Sequence, residues 1–236
     1  MSKDVIVACD FSSADELYAF LAKFKKKMPF LKVGMELFYK EGPALVRELK
    51  ARGAKIFLDL KLHDIPNTVY KAMRNIASLG ADITNLHAAG GIEMMRAALK
   101  GLEEGSTGVR PILIAVTQLT SINADILKNE LLINTPLPQT VEQYAINAKT
   151  AGLDGVVCSP LEAPLIKELG LISVTPGIRL TGDDTGDQKR IATPAYAREL
   201  GSTYIVVGRS ITAAKEPEVA YDKCMRDFCG LGGTLN

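Results

Sequence analysis

Short runs of β-branched and aliphatic residues recur along the chain at 5–11, 31–34, 55–61, 82–87, 111–118, 155–159, 172–176 and 204–208. They are nearly continuous in apolar character, as expected of strands covered on both faces. Between them, apolar positions fall at helical spacing over 13–28, 42–52, 67–79, 92–102, 141–150 and 196–200. Strand and helix therefore alternate, which predicts a parallel sheet wrapped by helices. Eight such strands in a chain of this length predict an α/β fold of the (β/α)8 barrel type, one catalytic domain over residues 1–236. A doubly wound open sheet is the competing arrangement. It would carry a glycine-rich GxGxxG turn after its first strand, and VACDFSS contains none.

Two segments interrupt the rhythm, 125–139 and 180–190. The second, LTGDDTGDQKR, combines two glycines with acids and threonines and offers almost no apolar side chain to pack, so it reads as a surface loop or a lid.

Composition narrows the partners. At 47% hydrophobic residues the chain can bury a sizeable core, and its formal net charge of +1, without a block of like charge, argues against a nucleic-acid surface or an anionic membrane. No apolar stretch approaches the roughly 20 residues needed to span a bilayer, and the N-terminus lacks a signal-peptide layout, so a cytoplasmic protein is expected. Cys9, Cys158, Cys224 and Cys229 show no CxxC spacing, which points to reduced thiols and away from a zinc site.

The chemistry concentrates in DLKLHDIPNT, residues 59–68. Side chains alternate along a strand, so Asp59 and Lys61 share one wall while Leu58, Leu60 and Leu62 face the other way. In a barrel the leucines meet the helices and the charges stand at the inner C-terminal mouth, where barrel enzymes place catalytic groups. The ordinary alternative is a structural ion pair. Asp64, followed by Pro66, also has an ordinary alternative, as a helix N-cap. Carboxylates beside Lys61 favour its ammonium form, which suits proton donation or anion stabilisation and disfavours a Schiff-base nucleophile. They would also repel a carboxylate on a substrate, and loss of that group as carbon dioxide would leave a carbanion beside Lys61. Decarboxylation followed by protonation fits these charges.

The last two strands suggest an anion grip. Pro176, Gly177, Ile178 and Arg179 follow the seventh, Gly208 and Arg209 the eighth, and these are the two loops barrels most often use for phosphate. Asp10 and Lys32 lie in apolar settings where an isolated charge is costly, so pairing or substrate contact is expected of them. His87, with only His63 for company, reads as a hydrogen-bonded core histidine. The acids form no HxH or HExxH pattern, and no metal or other cofactor is expected.

Taken in order, VACDF, LKVGMELF, DLKLHDIPNT, VTQLTS, PGIR and VVGRSI resemble the bacterial type of the orotidine 5′-monophosphate decarboxylase family. The resemblance implies a homodimeric, cofactor-independent (β/α)8 barrel that forms UMP and carbon dioxide in the last step of de novo pyrimidine nucleotide synthesis. It implies that Lys61 donates the proton to C6, flanked by Asp59 and Asp64, and that Asp64, Ile65 and Thr68 reach the partner's active site. Lys32 and Asp10 would bind ribose hydroxyls, Thr120 the pyrimidine, and Gln188 would bridge base and phosphate. Arg179, Gly208 and Arg209 would hold the phosphate. The D-x-K-x-x-D pattern is also shared by sugar-phosphate enzymes such as 3-keto-gulonate-phosphate decarboxylase and hexulose-phosphate synthase. A non-enzymatic sensor of phosphorylated ligands is the third reading.

Overall fold

The computed structural model describes residues 3–180 and 192–230. Eight parallel strands close into a barrel in which each pairs with the next and the last pairs with the first. They are β1 (Asp4–Ala8), β2 (Phe30–Gly34), β3 (Ile56–Leu62), β4 (Ile83–His87), β5 (Ile112–Val116), β6 (Gly155–Val157), β7 (Ile172–Ile178) and β8 (Tyr204–Val207). The helices are α1 (Ala14–Leu21), α2 (Met35–Ala51), α3 (Pro66–Ala77), α4 (Gly91–Gly105), α5 (Leu137–Thr150), α6 (Ala163–Glu168), α7 (Pro194–Glu199), α8 (Arg209–Thr212) and α9 (Pro217–Cys229). The (β/α)8 expectation holds, and the open sheet is excluded by the β1–β8 pairing.

The alternation of side chains across each strand builds two cores. Outward residues such as Val5, Val7, Leu31, Leu58, Leu60 and Ile205 pack under the helices. Inward residues, among them Ile6, Phe30, Phe57, Ile83, Ile114, Val174 and Tyr204, fill the barrel itself. On the first four strands the inner face then turns polar toward the C-terminal end: Ile6 and Ala8 lead to Asp10, Phe30 to Lys32, Phe57 to Asp59 and Ile83 to Asn85. Apolar filling below and charge above give the barrel one chemical end.

The opposite, N-terminal rim is tied by aspartates. Asp82, just before β4, accepts from the Ile56 N–H at 2.7 Å and from Lys50. Asp154, just before β6, accepts from the Leu113 N–H at 2.7 Å and receives both guanidinium nitrogens of Arg110. Each fixes the first rung of a neighbouring strand.

Several elements differ from the periodicity. The helix expected over 13–28 stops at Leu21, and the one expected over 42–52 is the second half of α2, which begins at Met35 and breaks at Gly42, where φ is +71°. That value is open to glycine and strained for other residues. The segment 125–139 is not a plain loop: it holds a π-helical turn at Ile126–Glu130 and the first residues of α5. Helices α6 and α8 are too short to show a period, and α9 displays only a sparse stripe of Pro217, Tyr221, Cys224 and Phe228. No helix of the described residues is long and apolar enough to cross a membrane.

Candidate active site

A cavity of about 490 Å³ opens at the C-terminal end of the barrel. Asp10, Lys32, Asp59, Lys61, Thr120, Arg179, Gly208 and Arg209 all line it, so the structure brings together eight of the positions singled out in the sequence. Asp64, Ile65 and Thr68 do not; they are exposed where the chain leaves β3 and enters α3. Asp64 is also not the N-cap of α3, which is Ile65; its carboxylate instead accepts from the Ile65 N–H at 2.6 Å. Gln188 and most of the segment 180–190 lie outside the described residues.

Charge alternates across the strands. Lys32 Nζ stands 2.9 Å from Asp10 Oδ1 and 3.4 Å from Asp59 Oδ2, and Lys61 Nζ stands 2.7 Å from Asp59 Oδ1. Burial opposes the Lys32 ammonium, yet Asp59 and Asp10 outweigh it and hold this lysine above its ordinary range. Burial likewise pushes the Asp59 carboxyl up, and the two lysines together with the Asn85 amide overcome it, holding Asp59 below the usual carboxylate range. Space for the Lys32–Asp10 pair depends on Gly34: a β-carbon there would come within 3.1 Å of Lys32 Nζ and 3.3 Å of Asp10 Oδ1.

The local backbone of β3 is irregular. Lys61 has φ of +52°, a left-handed value uncommon for a non-glycine residue, and the β3–β4 register shifts between Leu58 and Leu62. Across this bulge Asp59 and Lys61 both line the cavity, and Leu58, Leu60 and Leu62 pack under the helices.

The second cluster lies across the cavity, where β7 and β8 end. Arg179 follows Ile178, its N–H donating to the Ala192 carbonyl at 3.0 Å, while the Ala192 N–H donates to Gly177 at 3.1 Å. Gly177, inside the last residues of β7 where the β7–β8 register shifts, has φ of +84°. Four cations (Lys32, Lys61, Arg179, Arg209) and two carboxylates (Asp10, Asp59) therefore line the described cavity, an excess of positive charge suited to an anionic ligand.

The sequence reading missed Asn85 and Gln118. Both are buried, and a polar residue inside the apolar ITNLH run was the available signal for Asn85. His87 is half-buried, its ring 5.7 Å from that of His63. Burial, with His63 and Lys61 nearby, lowers its pKa and favours the neutral imidazole. Among the described residues no group of three or more His, Cys, Asp or Glu side chains is arranged to hold a metal ion.

The profile of the "Orotidine 5'-phosphate decarboxylase / HUMPS family" matches residues 3–224. The chain belongs to this family. It is 56% identical over 236 residues to the orotidine 5'-phosphate decarboxylase of Bacillus cytotoxicus, covering 98% of this chain and 99% of that one, and equally similar to that of Bacillus cereus strain Q1. Among solved structures, orotidine 5'-phosphate decarboxylase from Lactobacillus acidophilus superposes with a TM-score of 0.87 at 43% identity, covering 96% of this chain and 99% of its own. An uncharacterized conserved protein from Geobacillus kaustophilus gives a TM-score of 0.85 at 49% identity, with coverage of 95% and 99%. The charged cavity thus sits in a chain that matches decarboxylases of this family over nearly their whole length.

Proposed function

We propose that this chain converts orotidine 5′-monophosphate to UMP and carbon dioxide, the closing step of pyrimidine nucleotide synthesis. The observation that carries the reading is the Asp59–Lys61 pair, 2.7 Å apart, at one side of a cavity whose other side presents Arg179 and Arg209. The size of the cavity suits a nucleotide.

In this reading the phosphate binds at Arg179, Arg209 and the Gly208 backbone, and the ribose meets Asp10 and Lys32. The base then places its carboxylate against Asp59. The C6–carboxylate bond breaks, its electron pair stays on C6, and carbon dioxide leaves. The Lys61 ammonium stabilises the developing carbanion and gives it a proton, becoming a neutral amine that regains a proton from water. No metal or organic cofactor takes part. Repulsion by Asp59 and stabilisation by Lys61 act on opposite ends of the same coordinate.

Thr120 reaches the pyrimidine, and Gln188 bridges base and phosphate. Asp64, Ile65 and Thr68 complete the site of a partner subunit in a homodimer; the 67% exposure of Ile65, an apolar residue between β3 and α3, supports this. A cytoplasmic location is supported by four cysteines that form no disulfide.

The test is the ultraviolet absorbance of orotidine 5′-monophosphate mixed with purified protein in excess EDTA. Loss of the orotate band with formation of UMP is the expected result. An unchanged spectrum with folded protein overturns the reading in favour of a sugar-phosphate substrate.

A further inference from the structure

Asn85 is fully buried on β4, and its side-chain amide is used at both ends by the neighbouring strand. Its Nδ2 donates to Asp59 Oδ1 at 2.7 Å, the same oxygen that meets the Lys61 ammonium. Its Oδ1 accepts from the backbone N–H of Lys61 at 2.8 Å. That N–H belongs to the left-handed residue at the centre of the β3 bulge, where the regular β3–β4 register is lost. One planar amide therefore holds the carboxylate of the first catalytic residue and the main chain of the second.

We propose that Asn85 is a positioning residue for the reaction described above, a clamp that fixes the bulge of β3 and so sets the Asp59–Lys61 geometry. The inference rests on that reaction but concerns a residue outside its substrate contacts. Three features support it. A left-handed lysine is strained and persists only where its surroundings over-determine it, and the Asn85 carbonyl oxygen supplies such a restraint. A buried amide is costly unless both its donor and its acceptor are used, and here both are. The donor leaves Asp59 Oδ2 open to Lys32, so the carboxylate cannot rotate without losing one partner or the other.

Asn85→Asp provides the sharpest test. When the introduced carboxyl is protonated it can still donate O–H to Asp59 and accept from Lys61 N–H; when ionised it has no donor and repels Asp59. The groups facing Asp59 are Lys61 on its own strand, Lys32 on β2, with Asp10 beyond it, and Asn85 on β4, where His87 also acts on the cluster. None of these other groups changes in the variant. The expected result is a ratio of variant to wild-type kcat for orotidine 5′-monophosphate that rises as pH falls, from a depression of about 10²-fold at neutral pH, the scale of a misplacement near 1 Å. UMP affinity, set by the distant arginines, stays within a few-fold of wild type. A variant that binds UMP yet follows the wild-type pH profile, or shows no recovery at low pH, overturns the proposal.

Hydrogen exchange of the Lys61 amide in the unmodified protein gives a second reading that needs no variant to fold. Strong protection is expected, and exchange at the rate of a free amide overturns the clamp. If the wild-type chain leaves orotidine 5′-monophosphate unchanged, the decarboxylase reading falls, and the exchange experiment still decides the placement of Lys61 by Asn85.

Discussion

Lys61 takes a left-handed backbone at the end of β3, and its ammonium lies 2.7 Å from the Asp59 carboxylate two residues earlier. In an undistorted strand two such side chains would stand side by side on the pleat. Here the pair is in direct contact at a point where the β3–β4 register is broken, and both side chains line the cavity.

Lys61→Ala removes the proposed donor and leaves the arginines untouched. Turnover is expected to fall by at least the 10²–10⁴-fold typical of a general acid, while UMP binding by calorimetry stays near wild type. Near-normal turnover would remove Lys61 from the reaction.

Arg209→Ala acts on binding. A charged hydrogen bond is worth about 1.5–3 kcal/mol, which corresponds to a rise of about 10- to 160-fold in KM. Steady-state kinetics that show an unchanged KM would place the phosphate elsewhere.

The proposed sharing of sites between subunits is testable by mixing. Inactive Lys61→Ala and inactive Asp64→Ala chains, unfolded and refolded together at equal ratio, should recover about a quarter of the intact sites, since half the dimers are mixed and each holds one complete site. No recovery in verified mixed dimers would confine Asp64 to its own subunit.

The buried charges also set a pH window for stability. Asp59 is held below its ordinary value in the folded chain, so its stabilising contribution is present above the unfolded value of about 3.9 and is lost as pH falls through the folded one. Lys32 is held above its ordinary value, so its contribution is full below the unfolded value of about 10.4 and is lost as pH rises through the folded one. Thermal melts from about pH 5 down to about pH 3 should therefore show Tm falling more steeply for the wild type than for Asp59→Asn. Equal slopes would contradict the depressed carboxyl.

Much of this molecule is legible in its sequence because barrel strands are buried on both faces and advertise themselves as apolar runs. Asp10, Lys32, Asp59 and Lys61 stand out for the same reason: each is a charge in an apolar context. Asn85 does not, since an uncharged amide within ITNLH looks like a mild interruption, and its meaning depends on the bulge in the adjacent strand. The fate of Asp64 was equally hidden: whether it caps α3 depends on φ and ψ at Ile65, which becomes the cap without any side-chain hydrogen bond. Short helices such as α6, with six residues, and α8, with four, leave too few positions to show a period.

The aspartates at the N-terminal rim have a consequence for how this protein can change over generations. Asp82 and Asp154 secure strand register at the end of the barrel remote from Lys61, through partners that never line the cavity. Substitutions there can be tolerated or rejected on the durability of the fold alone, while loops at the opposite rim are free to be rewritten for other ligands. A lineage built on this barrel can thus accumulate new specificities at one end without renegotiating the other.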